Sequence, residues 1–425
     1  MLRVGASSAD ITPPVGVELC GYGYYLRRYS TDVLDPLMAR AVYVESDGGR
    51  VLFIGNDLIG VDKALTQRTR DLCHRHLGLP RDAIMLACTH THSGPATIRL
   101  PACGEVDEAY WDHLPYAWLE VARKAVDAAA PATLSLARGP VEPVGYDRHD
   151  PEGPVDCEVR IARFDVDGES VALLVNHSAH GVVFGGTNTL ISADWPGVLE
   201  HAIGHAFDRA VGIFVQGACG TVNVKNPCKG TDEGVPIMRE TGIVLARAVV
   251  RLAREATAFE GDLAVSCARV EVPLPLDVRP EAELSAHRDA CWAKYEDERL
   301  PVSERNIART HANTYQRLLD GHVDGVEDTY PAEVQAFRIG PLRIVGVPGE
   351  LFMALGQQII DCASDGLVMV AGYANDFVGY LPTREAYVDA RYEYPTRLLP
   401  LIVGRFAYQP GVGELITETA IDLCR

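Results

Sequence analysis

Short apolar runs bounded by glycine, proline and charged residues alternate along this chain with longer stretches whose apolar positions recur at helical spacing. The runs Ala41–Glu45, Val51–Ile54, Ala83–Ala87, Leu134–Leu136, Val159–Phe164, Val171–Val175, Val211–Val215, Leu263–Val272, Ala336–Ile339, Leu342–Val347 and Leu367–Ala371 are short and rich in aliphatic and β-branched residues, and they read as strands. Ala64–Leu77, Tyr110–Ala128, Trp195–Ala210 and Glu233–Ala256 carry helical periods. Arg279–Val323 is different: charged, helix-prone and poor in β-branched residues, it predicts a helical excursion that serves as lid, interface or plain solvated helix. The mixture predicts an α/β chain, with layered mixed sheets and flanking helices. No repeat or linker divides it, so the expectation is one domain over residues 1–425 with a helical insertion at 279–323.

Reactive residues gather where apolar runs give way to small residues. Residues 87–96 read ACTHTHSGPA, with His90 and His92 two apart; on an extended strand they would face opposite ways, unless a twist converges them. The run VALLV leads into NHSAHG (His177, His180), and FVQGACGTVNVKNP follows another apolar run. IVGVPGELF places Glu350 at a turn, where it is expected to open a helix, and AGYANDFVGYLPTREAYVDARYEY is dense in tyrosine. Strand ends of α/β sheets are where ligands bind. Imidazoles with a carboxylate suit zinc, while packed core histidines and a carboxylate at a helix N-terminus are the competing explanation.

Other residues have simpler readings. His177 is expected behind the site or buried, and Asp194 orients a histidine or caps the helix beginning near Trp195. His201 and His205 are four apart but lack the intervening glutamate of a zincin, and Cys219 suits the packing of a tight turn.

Composition narrows the partners. The chain is 47% hydrophobic, and 39 basic against 58 acidic residues leave a net charge of −19, which repels nucleic acid and anionic membranes. Its 11 cysteines form no CxxC pair, arguing against a disulfide framework or a cysteine-built zinc ribbon. The first residues hold no apolar leader and no window is long enough to span a membrane, so a soluble cytoplasmic protein is expected.

GASSADITPP, GYGYY, THTHSGP, HG…LISAD, GELF and GY-x-x-TREAY…RYE occur in this order over nearly the whole chain. Together they resemble the N-terminal catalytic domain of the neutral (non-lysosomal) ceramidase family. The resemblance implies zinc held by His90, His180, Glu350 and Tyr380, with His92 beside it moving protons. It makes Tyr392, twelve residues after Tyr380, the group that steadies the oxyanion, and Arg148 of GYDRHD the family's motif arginine. Two departures are expected. Asn223 stands where the family carries a serine, so direct attack by zinc-bound hydroxide replaces a covalent route, with Asn223 donating to substrate or oxyanion. The family's C-terminal immunoglobulin-like domain and secretion signal are also expected to be missing, which fits a secreted sphingolipid hydrolase poorly.

The function expected from these readings is a zinc-dependent amidohydrolase cleaving an amide, N-acyl or ester bond of a small, fairly polar molecule. A zinc Lewis-acid lyase, cyclase or isomerase, and a non-catalytic binding protein on the same fold, are the competing readings. Self-association into a homo-oligomer is left open.

Overall fold

A computed structural model describes every residue except 23, 25, 47, 209, 262 and 323–326. Gly23 and Tyr25 of GYGYY, and Val323 at the end of the expected insertion, therefore lie outside the described residues.

The apolar runs assemble into two sheets. Eight strands lie in the order Val211–Gln216, Glu169–His177, Glu158–Val166, Ala130–Pro140, Arg3–Asp10, Met38–Ser46, Gly49–Asn56 and Ile84–Cys88. Neighbours run antiparallel except at the two edges, where Glu169–His177 with Val211–Gln216 and Gly49–Asn56 with Ile84–Cys88 are parallel. In the middle, Arg3–Asp10 and Ala130–Pro140 share only the Arg3–Pro131 and Val4–Ala130 pairs, so the sheet curls about this narrow join. Its edges approach one another: a Cβ on Gly55 would lie 2.8 Å from Ile213 Cγ2, so the contact needs glycine.

The second sheet contains Val265–Pro275, Thr329–Ile339, Leu342–Gly346 and Leu367–Ala371, the last two parallel. Its Phe337, Ile344 and Met369 pack against Phe53, Phe164, Leu174 and Val215 of the larger sheet in one buried cluster. Beyond Leu367–Ala371 the chain bridges both edges of that sheet. Gly372 N donates to Gln216 O at 2.8 Å, and Asn375 N donates to Leu86 O at 2.9 Å. This bridge gathers the C-terminal ends of the parallel strands.

Helices cover the outer faces. Lys63–Leu77 starts where the Asp62 side chain accepts from Leu65 N and ends at Gly78, whose φ of 67° suits a glycine cap. Glu108–Asp127 buries Trp118 against the larger sheet, and Asp194–Ala206 with Thr231–Glu255 covers its other half. Met353–Ile360 and Val412–Cys424 cover the smaller sheet. The expected insertion is a helical hairpin, Glu281–Glu296 and Val302–His322, whose first helix buries only Leu284. Among the described residues no helix is long and apolar enough to cross a membrane.

One local expectation is corrected. Glu350 does not open a helix; it belongs to the two-residue strand Glu350–Leu351, and the helix begins at Met353. Glu350 pairs in parallel with Tyr380, and its backbone N–H donates to Gly379 O at 2.9 Å. That pairing directs its carboxylate inward, so helix-dipole complementation does not explain it.

Candidate active site

The strand Ile84–Cys88 stops before the THTH run, so period-two alternation does not apply there. His90 has φ 62°, and the resulting turn swings its ring round until His90 Nε2 and His92 Nε2 lie 3.1 Å apart. A Cβ on Gly21 would meet the His92 ring at 2.5 Å, which is why a glycine of GYGYY lies over it.

His180 completes the group: ligand atoms of His90, His92 and His180 all fall within 4.8 Å of one another. His180 Nε2 is 3.1 Å from Glu350 Oε2, and His90 Nε2 is 4.0 Å from the same oxygen. The far nitrogens show which rings are held. His90 Nδ1 donates to Ile59 O at 2.6 Å and His180 Nδ1 to Val222 O at 3.0 Å, so each turns its Nε2 lone pair toward the common gap. His92 Nδ1 has no such partner. Tyr373 stacks on His90 with ring centroids 3.9 Å apart, and its hydroxyl meets Cys219 Sγ at 3.0 Å.

The electrostatics follow from burial and neighbours. Burial, opposed by Glu350 and aided by His180, lowers His90 to about 4. For Glu350, burial works upward, but the His180 hydrogen bond and the nearby histidine and Arg148 charges hold its carboxyl near 2. At His180 burial is outweighed by Cys219 and Glu350, which raise it to about 9. A proton or a metal ion therefore belongs between His180 Nε2 and Glu350. The donor set of imidazoles and a carboxylate, with the His90 and His180 rings braced from behind, fits a metal such as zinc.

Residues 2–233, more than half the chain, match the family model described as neutral/alkaline non-lysosomal ceramidase, N-terminal. The chain belongs to this family. It is 25% identical to the neutral ceramidase of Pseudomonas aeruginosa over 92% of its own length and 68% of that protein's. The neutral ceramidase of Mycobacterium tuberculosis is 24% identical, over 92% of this chain and 73% of that protein. The crystal structure of the Pseudomonas aeruginosa enzyme superposes with a TM-score of 0.76 at 21% identity, covering all of this chain and 74% of that one. A ceramidase complexed with C2 gives a TM-score of 0.75 at 19% identity and shares the same layered fold. Family membership implies an amide-bond hydrolase, and ceramidases of this family are metal-dependent.

The remaining residues singled out by the ceramidase resemblance divide. Tyr380 lies beside Glu350 across the parallel pair, and Arg148 donates to its hydroxyl and, at 2.7 Å, to Gly220 O. Burial pushes the Tyr380 phenol up, and the Arg148 guanidinium pulls it back. Asn223 is half-buried at the centre of the strand Val222–Val224, opposite Tyr146. Both its strand neighbours are buried, so its side chain lies on the face away from them. Tyr392 packs on Phe352 (5.6 Å) and His149 (4.8 Å).

Of the two tyrosines in RYEY, the one that lines the cavity with His90, His92, Glu350 and Tyr380 is Tyr394, with its ring centroid 6.0 Å from that of Tyr380. The sequence reading passed over Tyr394, although RYEY offers two tyrosines that only their placement separates.

Other candidates settle into the scaffold. His177 Nδ1 donates to Glu158 O at 2.9 Å and lies 3.6 Å from Asp156. Asp194 Oδ2 accepts from Val183 N at 2.9 Å, and Trp195 Nε1 donates to His180 O at 3.0 Å, so this segment pins the loop carrying His180. His201 and His205 are exposed on their helix.

Proposed function

We propose that this protein is a zinc-dependent amidohydrolase acting on the amide or N-acyl bond of a small molecule, with an ester as the alternative bond. One observation carries the reading: two histidines braced at Nδ1 turn their Nε2 atoms, with Glu350, onto a single gap. His90, His180 and Glu350 would hold the ion, with Tyr380 beside them. Zinc at such a site polarises a carbonyl and acidifies water.

The protein's own groups then divide the work. His92, which no carbonyl ties at Nδ1, is free to accept a proton and deliver it to the departing nitrogen. Burial and the neighbouring His90 and His180 hold it well below the ordinary imidazole range, so it rests neutral. Arg148 positions Tyr380 and puts positive charge beside the reacting centre. Tyr394 is the better-placed phenol to donate to the developing oxyanion, because it borders the cavity. All eleven cysteines are free, which fits a reducing, cytoplasmic compartment.

The test is elemental analysis of wild type, His90→Ala and His180→Ala, combined with product masses on N-acyl substrates. About one zinc per chain in wild type, lost in both variants, and two products whose summed mass exceeds the substrate by one water support the reading. Wild type that neither holds nor takes up a metal would sink it.

A further inference from the structure

The cavity that holds Glu350 and the histidines is small and otherwise mostly apolar. Its volume, the reacting end included, is about 180 Å³, and away from the reacting groups its walls include Leu100, Cys103, Phe377, Leu399 and Ile402, with Tyr24 at one side. None of these wall residues carries a charge. Drug-sized ligands occupy roughly 300–1,000 Å³. At roughly 30 Å³ for each water-sized group, 180 Å³ holds about six such groups, those of the reacting bond among them.

The helical hairpin keeps this pocket short. Val302–His322 packs against the Leu399–Val403 turn, which supplies the end wall. Thr314 Oγ1 donates to Leu401 O at 2.7 Å, and Arg317 donates to the same hydroxyl at 2.8 Å. His311 Nε2 lies 3.5 Å from the Tyr24 hydroxyl. Thr314 is fully buried and His311 nearly so, so the brace is part of the packed structure.

We propose that this pocket is a short-acyl subsite: the substrate is an N-acyl compound with an uncharged acyl group of about two to six carbons, and the braced wall excludes long chains. The proposal rests on the amide-hydrolase reading. The acyl group is the part that fits, because away from Glu350, the histidines and the tyrosine hydroxyls an amine would meet only apolar walls. In the reaction water adds to the carbonyl carbon and the C–N bond breaks. The carboxylic acid keeps the pocket, and the amine leaves toward the polar end with the proton.

Two readouts separate this proposal from the reading beneath it. Product carboxylates from acetate to dodecanoate are titrated calorimetrically into the metal-loaded protein, and acyl p-nitroanilides of the same lengths are assayed for turnover. Affinity is expected to rise to about six carbons and to fall at least tenfold by twelve. Ile402→Ala should move the cutoff by two or more carbons, and Thr314→Val, which loosens the brace without cutting into the wall, should move it in the same direction. A carboxylate cutoff without turnover at any length removes the hydrolase reading and leaves the subsite standing. Dodecanoate binding as tightly as hexanoate in wild type, a cutoff that neither variant moves, or no carboxylate binding at all overturns the subsite.

Discussion

Two buried clusters of ionisable side chains in this protein are built on opposite plans. In one, the Arg40 guanidinium lies 2.8 Å from both Asp57 Oδ2 and Glu200 Oε2, while Met38 N and Phe214 N donate to the two carboxylates. In the other, His90, His92, His180 and Glu350 turn lone pairs toward a common gap, and the Arg148 guanidinium beside them is engaged with Tyr380 and Gly220 O. The first cluster contains its own counter-ion and ties Met38–Ser46, Gly49–Asn56, the Asp194–Ala206 helix and Val211–Gln216 together. The second is arranged for a cation from outside. Burial alone does not distinguish structural charge from functional charge; the direction of the lone pairs does.

Mutation should separate the two plans. His90→Ala and His180→Ala should empty the metal site and reduce turnover by more than about 10³-fold, beyond the loss of a single oxyanion donor. Elemental analysis with a turnover assay checks this, and a variant that keeps its metal would mean the gap is not the binding site. Arg40→Met should do the reverse. It leaves Asp57 and Glu200 buried without their cation, at a cost of about 3–5 kcal/mol in unfolding free energy by denaturant titration. Its metal content should match wild type. If Arg40→Met loses metal in proportion to stability, the two clusters are coupled and the comparison fails.

How much of this was legible in the sequence differs between the two clusters. The strand-to-loop junctions marked His90, His180 and Glu350 because ligands bind at the strand ends of α/β sheets. What brings them together was hidden: the curl that sets Gly55 against Ile213, and the 372–375 bridge, depend on contacts between residues far apart in the chain. The Arg40–Asp57–Glu200 cluster gave no signal, since each residue looks like an ordinary charge until three elements converge on it. Strand alternation would have set His90 and His92 apart, but a positive φ at His90 overrode it. The long strand Thr329–Ile339 was read only over Ala336–Ile339, because its first half carries a proline and a glutamate at a half-exposed position.

The tyrosines sharpen the open cluster further. Tyr394 borders the cavity, whereas Tyr392 rests on Phe352 and His149. Tyr394→Phe should lower kcat by roughly 10²-fold, the scale of one transition-state donor, with metal content unchanged. Tyr392→Phe should stay within about threefold, on the scale of a surface substitution of up to about 0.5 kcal/mol. The reverse order would return the oxyanion role to Tyr392.

Asp194 offers a third arrangement, a buried carboxylate with neither a cation nor a gap. Its oxygens take backbone N–H groups from Val183 and Trp195, yet burial wins and raises its carboxyl to about 7, with Asp35 adding to the shift. The raised value means the folded protein binds a proton that the unfolded chain, with its carboxyl near the ordinary value of 3.8, has released. Between these values the folded state holds more protons, so this residue makes stability fall as pH rises from about 4 to about 7 and contributes no further slope above that. For one proton the slope is at most about 1.4 kcal/mol per pH unit. Asp194→Asn keeps an acceptor oxygen for the loop and removes the proton, so denaturant titrations at pH 5, 6, 7 and 8 should show a shallower decline than wild type. An unchanged slope would mean that the carboxylate is ionised in the folded protein and that its backbone donors, like Arg40 in the closed cluster, are enough to hold the charge.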